Sequence, residues 1–119
     1  MENTLSNNIL SLDLPDIYTR KLIKDCDKIV EVLGDRLVLI SLFGSCARGD
    51  YKVGSDLDVF VLTYGPIDRH IRGEIATELD VIDGISTDVV FYTLESFRHS
   101  NSLFINNVRK DGLILWKRE

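Results

Sequence analysis

Two aspartates one residue apart, Asp56 and Asp58, stand directly before the apolar run Val59-Phe60-Val61-Leu62. Positions i and i+2 of a strand share a face about 7 Å apart along the chain, so the two carboxylates project side by side. Such a pair repels itself unless a cation sits between its members. Aspartate is also disfavoured inside strands, which weakens the plainer reading of two solvated residues where a strand begins. Hard oxygen donors on a short rigid element suit magnesium, which keeps several waters and shares itself with substrate phosphates. Asp-x-Asp alone remains a weak signal.

The residues upstream strengthen it. Gly44-Ser45 follows the apolar run Leu37-Val-Leu-Ile-Ser-Leu-Phe43. Glycine there permits an unusual backbone angle and close approach of a ligand. A helix opening after it would turn free amides and a positive dipole end toward phosphate. Ser45 adds a hydroxyl and Arg48 a charged donor. An isolated Gly-Ser would be an ordinary tight turn. Its place at the end of one buried strand, with the acidic pair opening the next, is what turns a phosphate cradle and a metal pair toward one cleft. Asp88, between Thr87 and Val89 in a later β-rich stretch, is the chosen third carboxylate. Asp80 and Asp83 compete for that place but fall on or at the end of a helix. Three carboxylates would hold two ions, one activating an attacking oxygen and one holding a triphosphate and its leaving pyrophosphate. Asp88 could also act as the general base.

Elements to position these residues can be read from periodicity. Residues 1–14 read as a polar, loosely held leader, and residues 15–119 as a single domain. A helix is expected from Pro15-Asp16, with Ile17, Leu22, Ile23, Ile29, Val30 and Leu33 at near-helical spacing, stopped by Gly34. Strands follow at 36–43 and 57–63, a helix over 68–83, a strand over 85–92, one helix over 94–110 and a short strand over 113–116. The expected class is α/β, with one layer of helices against a mixed sheet.

Composition bounds the rest. At 119 residues the chain makes one domain with a modest core. Its net charge of −5 weighs against sequence-independent nucleic-acid binding. No apolar run approaches the roughly 20 residues that span a bilayer. The Met1-Glu2-Asn3-Thr4 start lacks the basic and apolar pattern of a secretory signal, so a cytoplasmic location is expected. Cys26 and Cys46 read as reduced thiols rather than a disulfide or zinc ligands, with Cys46 a chance occupant of the turn. His70 and His99 read as surface residues, Trp116 and Phe104 as packing residues, and Arg98, Arg109 and Lys110 as a solvated helix face.

Gly44-Ser45-Cys-Ala-Arg48-Gly49, followed by Ser55-Asp56-Leu57-Asp58, resembles the signature of the polymerase-beta-like nucleotidyltransferase superfamily, and is most similar to its minimal nucleotidyltransferase branch. The resemblance implies that superfamily's fold. Gly44, Ser45, Arg48 and Ser55 would bind the nucleotide, and Asp56, Asp58 and Asp88 would be the catalytic, magnesium-holding set. It further implies an antitoxin that transfers AMP from ATP to a tyrosine of a HEPN-type ribonuclease toxin. Two readings stay open beside this one: a non-catalytic module that neutralises its partner by binding, and a transferase acting on a small molecule. Once the catalytic elements are counted, few residues remain for an acceptor site, which favours an acceptor presented by another protein, in a homo- or hetero-oligomer.

Overall fold

In the computed structural model, which describes residues 9–79 and 81–118, helix α1 (Asp16–Leu33) opens after Pro15. Proline suits this position because its missing N–H would have no helical partner. Tyr18, Leu22, Cys26, Ile29 and Leu33 recur every three or four residues, and all five are buried. They form the stripe that lies on the sheet. Gly34 closes the helix, and a single turn (Gly34–Arg36) leads into β1 (Leu37–Phe43).

The sheet has four strands in the order β3-β2-β1-β4, with β2 at Leu57–Thr63, β3 at Thr87–Thr93 and β4 at Leu113–Lys117. β1 is central and antiparallel to both neighbours, pairing Phe43 with Asp58 and Leu42 with Leu113. β2 and β3 run parallel, a pairing that needs a crossover rather than a hairpin. Helix α3 (Arg69–Glu78) supplies it, capped by the Asp68 carboxylate on the amide of Ile71 at 2.9 Å. Between β1 and β2 lies the one-turn helix α2 (Ser45–Arg48).

Helices cover both faces, where one layer was expected. The alternation of β2 explains this: Leu57, Val59 and Val61 lie in a core with α1 and Ile75 of α3, while Phe60 and Leu62 join a second core. That second core is roofed by α4 (Leu94–His99) and α5 (Leu103–Asp111) through Phe97, Phe104, Ile105 and Val108. Its ring contacts include a tilted pair, Phe60 with Tyr92 at 5.5 Å, and Phe43 with Phe104 at 5.3 Å in the edge-to-face geometry that aromatic quadrupoles favour.

The single helix expected over 94–110 is two helices. Ser102 accepts the amide of Ile105 through its side chain at 3.1 Å, an N-cap that starts α5 afresh. Arg109, read as part of a solvated face, spans the break. Its guanidinium donates to the Phe97 carbonyl at 2.6 Å and the Ser100 carbonyl at 3.2 Å, and lies 4.6 Å over the Phe97 ring. It adds a second donor to the Phe97 carbonyl, which already accepts the amide of Ser100, and a side-chain donor to the Ser100 carbonyl just past the end of α4. The helix expected to reach residue 83 ends at Glu78, and Ile82 and Ile85 close a tight bridge with Asp83 at φ 51°. Ile9 is fully buried and Leu12 and Leu14 pack beside the same core, so the segment expected to be loose is anchored from residue 9 onward. Residues 1–8 of that leader lie outside the described residues.

Candidate active site

The sheet register decides which side chains meet. Asp58 sits opposite Phe43 on β1 and opposite Asp88 on β3. Residues paired across neighbouring strands share a face and stand roughly 5 Å apart. Asp58 and Asp88 are therefore adjacent on the face that also carries Phe60 and Val90. Asp56, two residues before Asp58, sits just ahead of β2. One of its carboxylate oxygens accepts the amide of Ser86 at 3.1 Å, which fastens the start of β2 to the start of β3. The competitor Asp83 lies in the 82–85 turn, and Asp80 lies outside the described residues.

Gly44 closes the row on the β1 side. Its φ of 80° and ψ of −160° belong to a region that glycine alone enters readily. A Cβ built there would run into the Asp58 carboxylate. Glycine is thus required twice, for the angle and for the space. Ser45 follows as the first residue of α2, half-buried beside the row. Arg48, at the end of α2, is exposed and pairs with Asp50 at 3.2 Å, yet remains close enough to Asp58 to favour its charged form. The Ser55 hydroxyl accepts the amide of Lys52 at 2.8 Å and closes the 52–55 turn that delivers Asp56.

The electrostatics of Asp58 reflect this crowding. Burial pushes its carboxyl above the ordinary carboxylate range, and the charges of Asp88 and then Asp56 push it further, with Arg48 opposing. Ionised together, the three carboxylates leave a deficit of positive charge that a divalent cation would fill. Among the described residues, no three His, Cys, Asp or Glu groups are drawn into a ready-made metal cage. An open, all-oxygen row fits magnesium in this respect, since that ion takes part of its octahedron from water and phosphate.

Several supporting residues were missed at the sequence level. Cys46 is buried and donates its thiol to the Asp56 carbonyl at 3.7 Å, tying α2 to the approach of β2. Its thiol is held up by burial, then by Asp58 and Asp56, so it is a poor nucleophile. The Tyr18 hydroxyl donates to the Ser55 carbonyl at 2.7 Å, and its ring meets Tyr51 edge-on at 5.7 Å. Beneath Asp88, the fully buried Lys21 donates to Asp25 at 2.8 Å and to the Thr87 hydroxyl at 2.6 Å, and Thr87 donates to Asp25 at 2.5 Å. The i,i+4 placement of Lys21 and Asp25 was legible as a helical ion pair; its burial against Thr87 was not.

A mixed sheet with a glycine turn at the end of one strand and carboxylates aligned across the next two has the plan of a nucleotide-transferring domain. The chain belongs to the nucleotidyltransferase domain family, which matches residues 15–115. A Methanocaldococcus jannaschii relative, provisionally named a protein adenylyltransferase, is 33% identical over 82 residues, 68% of this chain and 80% of that protein. The protein adenylyltransferase MntA of Shewanella oneidensis is 32% identical over 93 residues, 76% of this chain and 63% of that one. Among solved structures, a toxin–antitoxin with AMP-PNP is similar at a TM-score of 0.57 and 30% identity, over 78% of this chain and 73% of that one. A tri-AMPylated Shewanella oneidensis HEPN toxin in complex with its MNT antitoxin gives 0.53 and 27%, over 82% and 73%. No helix among the described residues is long and apolar enough to cross a membrane.

Proposed function

We propose that this chain is a protein adenylyltransferase that transfers AMP from ATP to a hydroxyl of a protein partner, a tyrosine of a HEPN-type ribonuclease toxin, and so acts as its antitoxin. The observation that carries this reading is the row formed by Gly44 at the end of β1, Asp58 on β2 and Asp88 on β3, in a chain similar to protein adenylyltransferases and to chains of solved toxin–antitoxin complexes. Asp56, Asp58 and Asp88 would hold magnesium, two ions in the full complement. When bound, the metal neutralises the carboxylates and polarises the triphosphate oxygens. Gly44 and Ser45 take the phosphates, with Arg48 and Ser55 beside them. The acceptor oxygen attacks the α-phosphorus; the new O–P bond forms as the bond to the pyrophosphate breaks. Asp88, at the outer end of the row, takes the acceptor's proton. A cytoplasmic site of action accords with the free thiols Cys26 and Cys46.

The test uses the purified chain with the protein encoded beside its gene, magnesium and ATP labelled on the α-phosphate. Label is expected on a tyrosine of the partner, and Asp58→Asn should lower the rate by at least about a hundredfold, as loss of a positioned catalytic group does. If Asp58→Asn neutralises the partner fully and no label moves, the activity is binding alone and the transferase reading is lost.

A further inference from the structure

The carboxylate row ends on β3, which is an outer strand of the sheet. Among the described residues β3 pairs with β2 alone, so the N–H and C=O groups along its other side have no strand partner. Beside this free edge runs a groove of about 520 Å³ between α3 and β3. Thr87, Val89 and Phe91 alternate with Asp88 and Val90, so Val89 and Phe91 form the groove's apolar wall while Asp88 stands at its rim beside the other face. Gly73 and Ala76 on α3 are too small to fill it. Arg69 and Arg72, from the same helix, line it, are exposed, and make no ion pair among the described residues.

Displacement at phosphorus fixes the direction of approach. The entering oxygen and the leaving pyrophosphate lie roughly in line, on opposite sides of the transferred group. With the phosphates on Gly44 and Ser45 at the β1 end of the row, the acceptor must come from the β3 end, over the free edge. We infer that an extended segment of the partner docks there as an added strand on β3. Its acceptor residue faces Asp88, and its immediate neighbours point to the opposite face, into the groove, where a carboxylate side chain meets Arg69 and Arg72. Main-chain pairing would supply register and the arginines selectivity, the division of labour seen when peptides extend a sheet. The seat rests on the adenylyltransferase reading above.

Steady-state transfer to the HEPN-type partner tests it, comparing wild type with Arg69→Glu/Arg72→Glu. The variant's far-ultraviolet circular dichroism should match the wild type's, since both side chains are exposed. The acceptor KM should rise at least about tenfold while the ATP KM stays within about twofold, and rising salt should weaken acceptor binding in the wild type only. Hydrogen exchange on the complex should show new protection of β3 amides at residues 87–93. An unchanged acceptor KM, or β3 amides that exchange as fast in the complex as alone, overturns the seat. So does a rise confined to the ATP KM, which would mark the groove as a nucleotide site. A wild type that transfers no label fails earlier and differently: it removes the enzymatic reading, and the seat with it.

Discussion

In the proposed activity, Asp58 would set stability against function within one side chain. Its folded carboxyl is raised by burial and by the charges of Asp88 and Asp56. A raised carboxylate stabilises the fold most below its unfolded value, near 4, and that contribution is lost as pH rises through the higher folded value. At neutral pH the ionised group therefore opposes folding. Asp58→Asn should melt higher than wild type at pH 7 without metal, by a few degrees at most, because solvent screens the repulsion on this partly exposed carboxylate. The difference should vanish near pH 3, and calorimetry at the two pH values measures it. A variant that melts lower at neutral pH would mean the Asp58 carboxylate is held by contacts stronger than the repulsion. The candidate site's residues were legible as a group because their types conflict with their positions: carboxylates beside an apolar strand, a glycine after one. Cys46 and Tyr18 were not, because each acts by donating to a backbone carbonyl, and no residue type advertises that.

At the scale of elements, β3 is held at its N-terminal end by the Lys21–Asp25–Thr87 network, which joins it to α1 one residue before Asp88. Lys21 and Asp25 are 1% and 3% exposed, so removing one charge strands the other without solvent. Lys21→Met should destabilise by about 3–5 kcal/mol, whereas Lys21→Met/Asp25→Leu, which removes both charges, should recover most of that loss. Urea unfolding of the two variants decides it; equal losses would show that packing, not pairing, governs the site. The strands themselves were readable because each is an apolar run bounded by glycine or a polar turn, and β2 occupies the expected residues. The α4–α5 break was not, since Ser100-Asn101-Ser102 differs from a tolerable helical stretch only through the caps it makes and the reach of Arg109 from nine residues away. The second helical layer was missed for a related reason. Alternation within β2 is hidden when both of its faces are apolar, as Val59, Phe60, Val61 and Leu62 are.

For the molecule as a whole, the open row couples ligand binding to folding. The unfolded chain cannot keep Gly44 at the end of β1 beside Asp58 on β2 and Asp88 on β3, so a nucleotide bound there with a metal, as proposed above, would recognise the native state alone. Such a ligand stabilises by about 2.7 kcal/mol at a hundred times its dissociation constant. For a domain of this length that corresponds to a rise in melting temperature on the order of 10 °C. Magnesium alone, or the nucleotide with a chelator, should give much less, because three uncompensated carboxylates repel a triphosphate and an isolated ion lacks the phosphate oxygens that complete its shell. Asp56→Asn/Asp58→Asn should melt without ligand no lower than wild type but gain little from the pair together. Thermal scans with a non-hydrolysable ATP analogue, in a two-by-two design of metal and nucleotide, read all of this without any acceptor present. Equal gains from nucleotide with and without magnesium would show that the Gly44–Ser45 turn binds phosphate independently of the carboxylates. The two halves of the site, on β1 and on β2–β3, would then be separate devices rather than one.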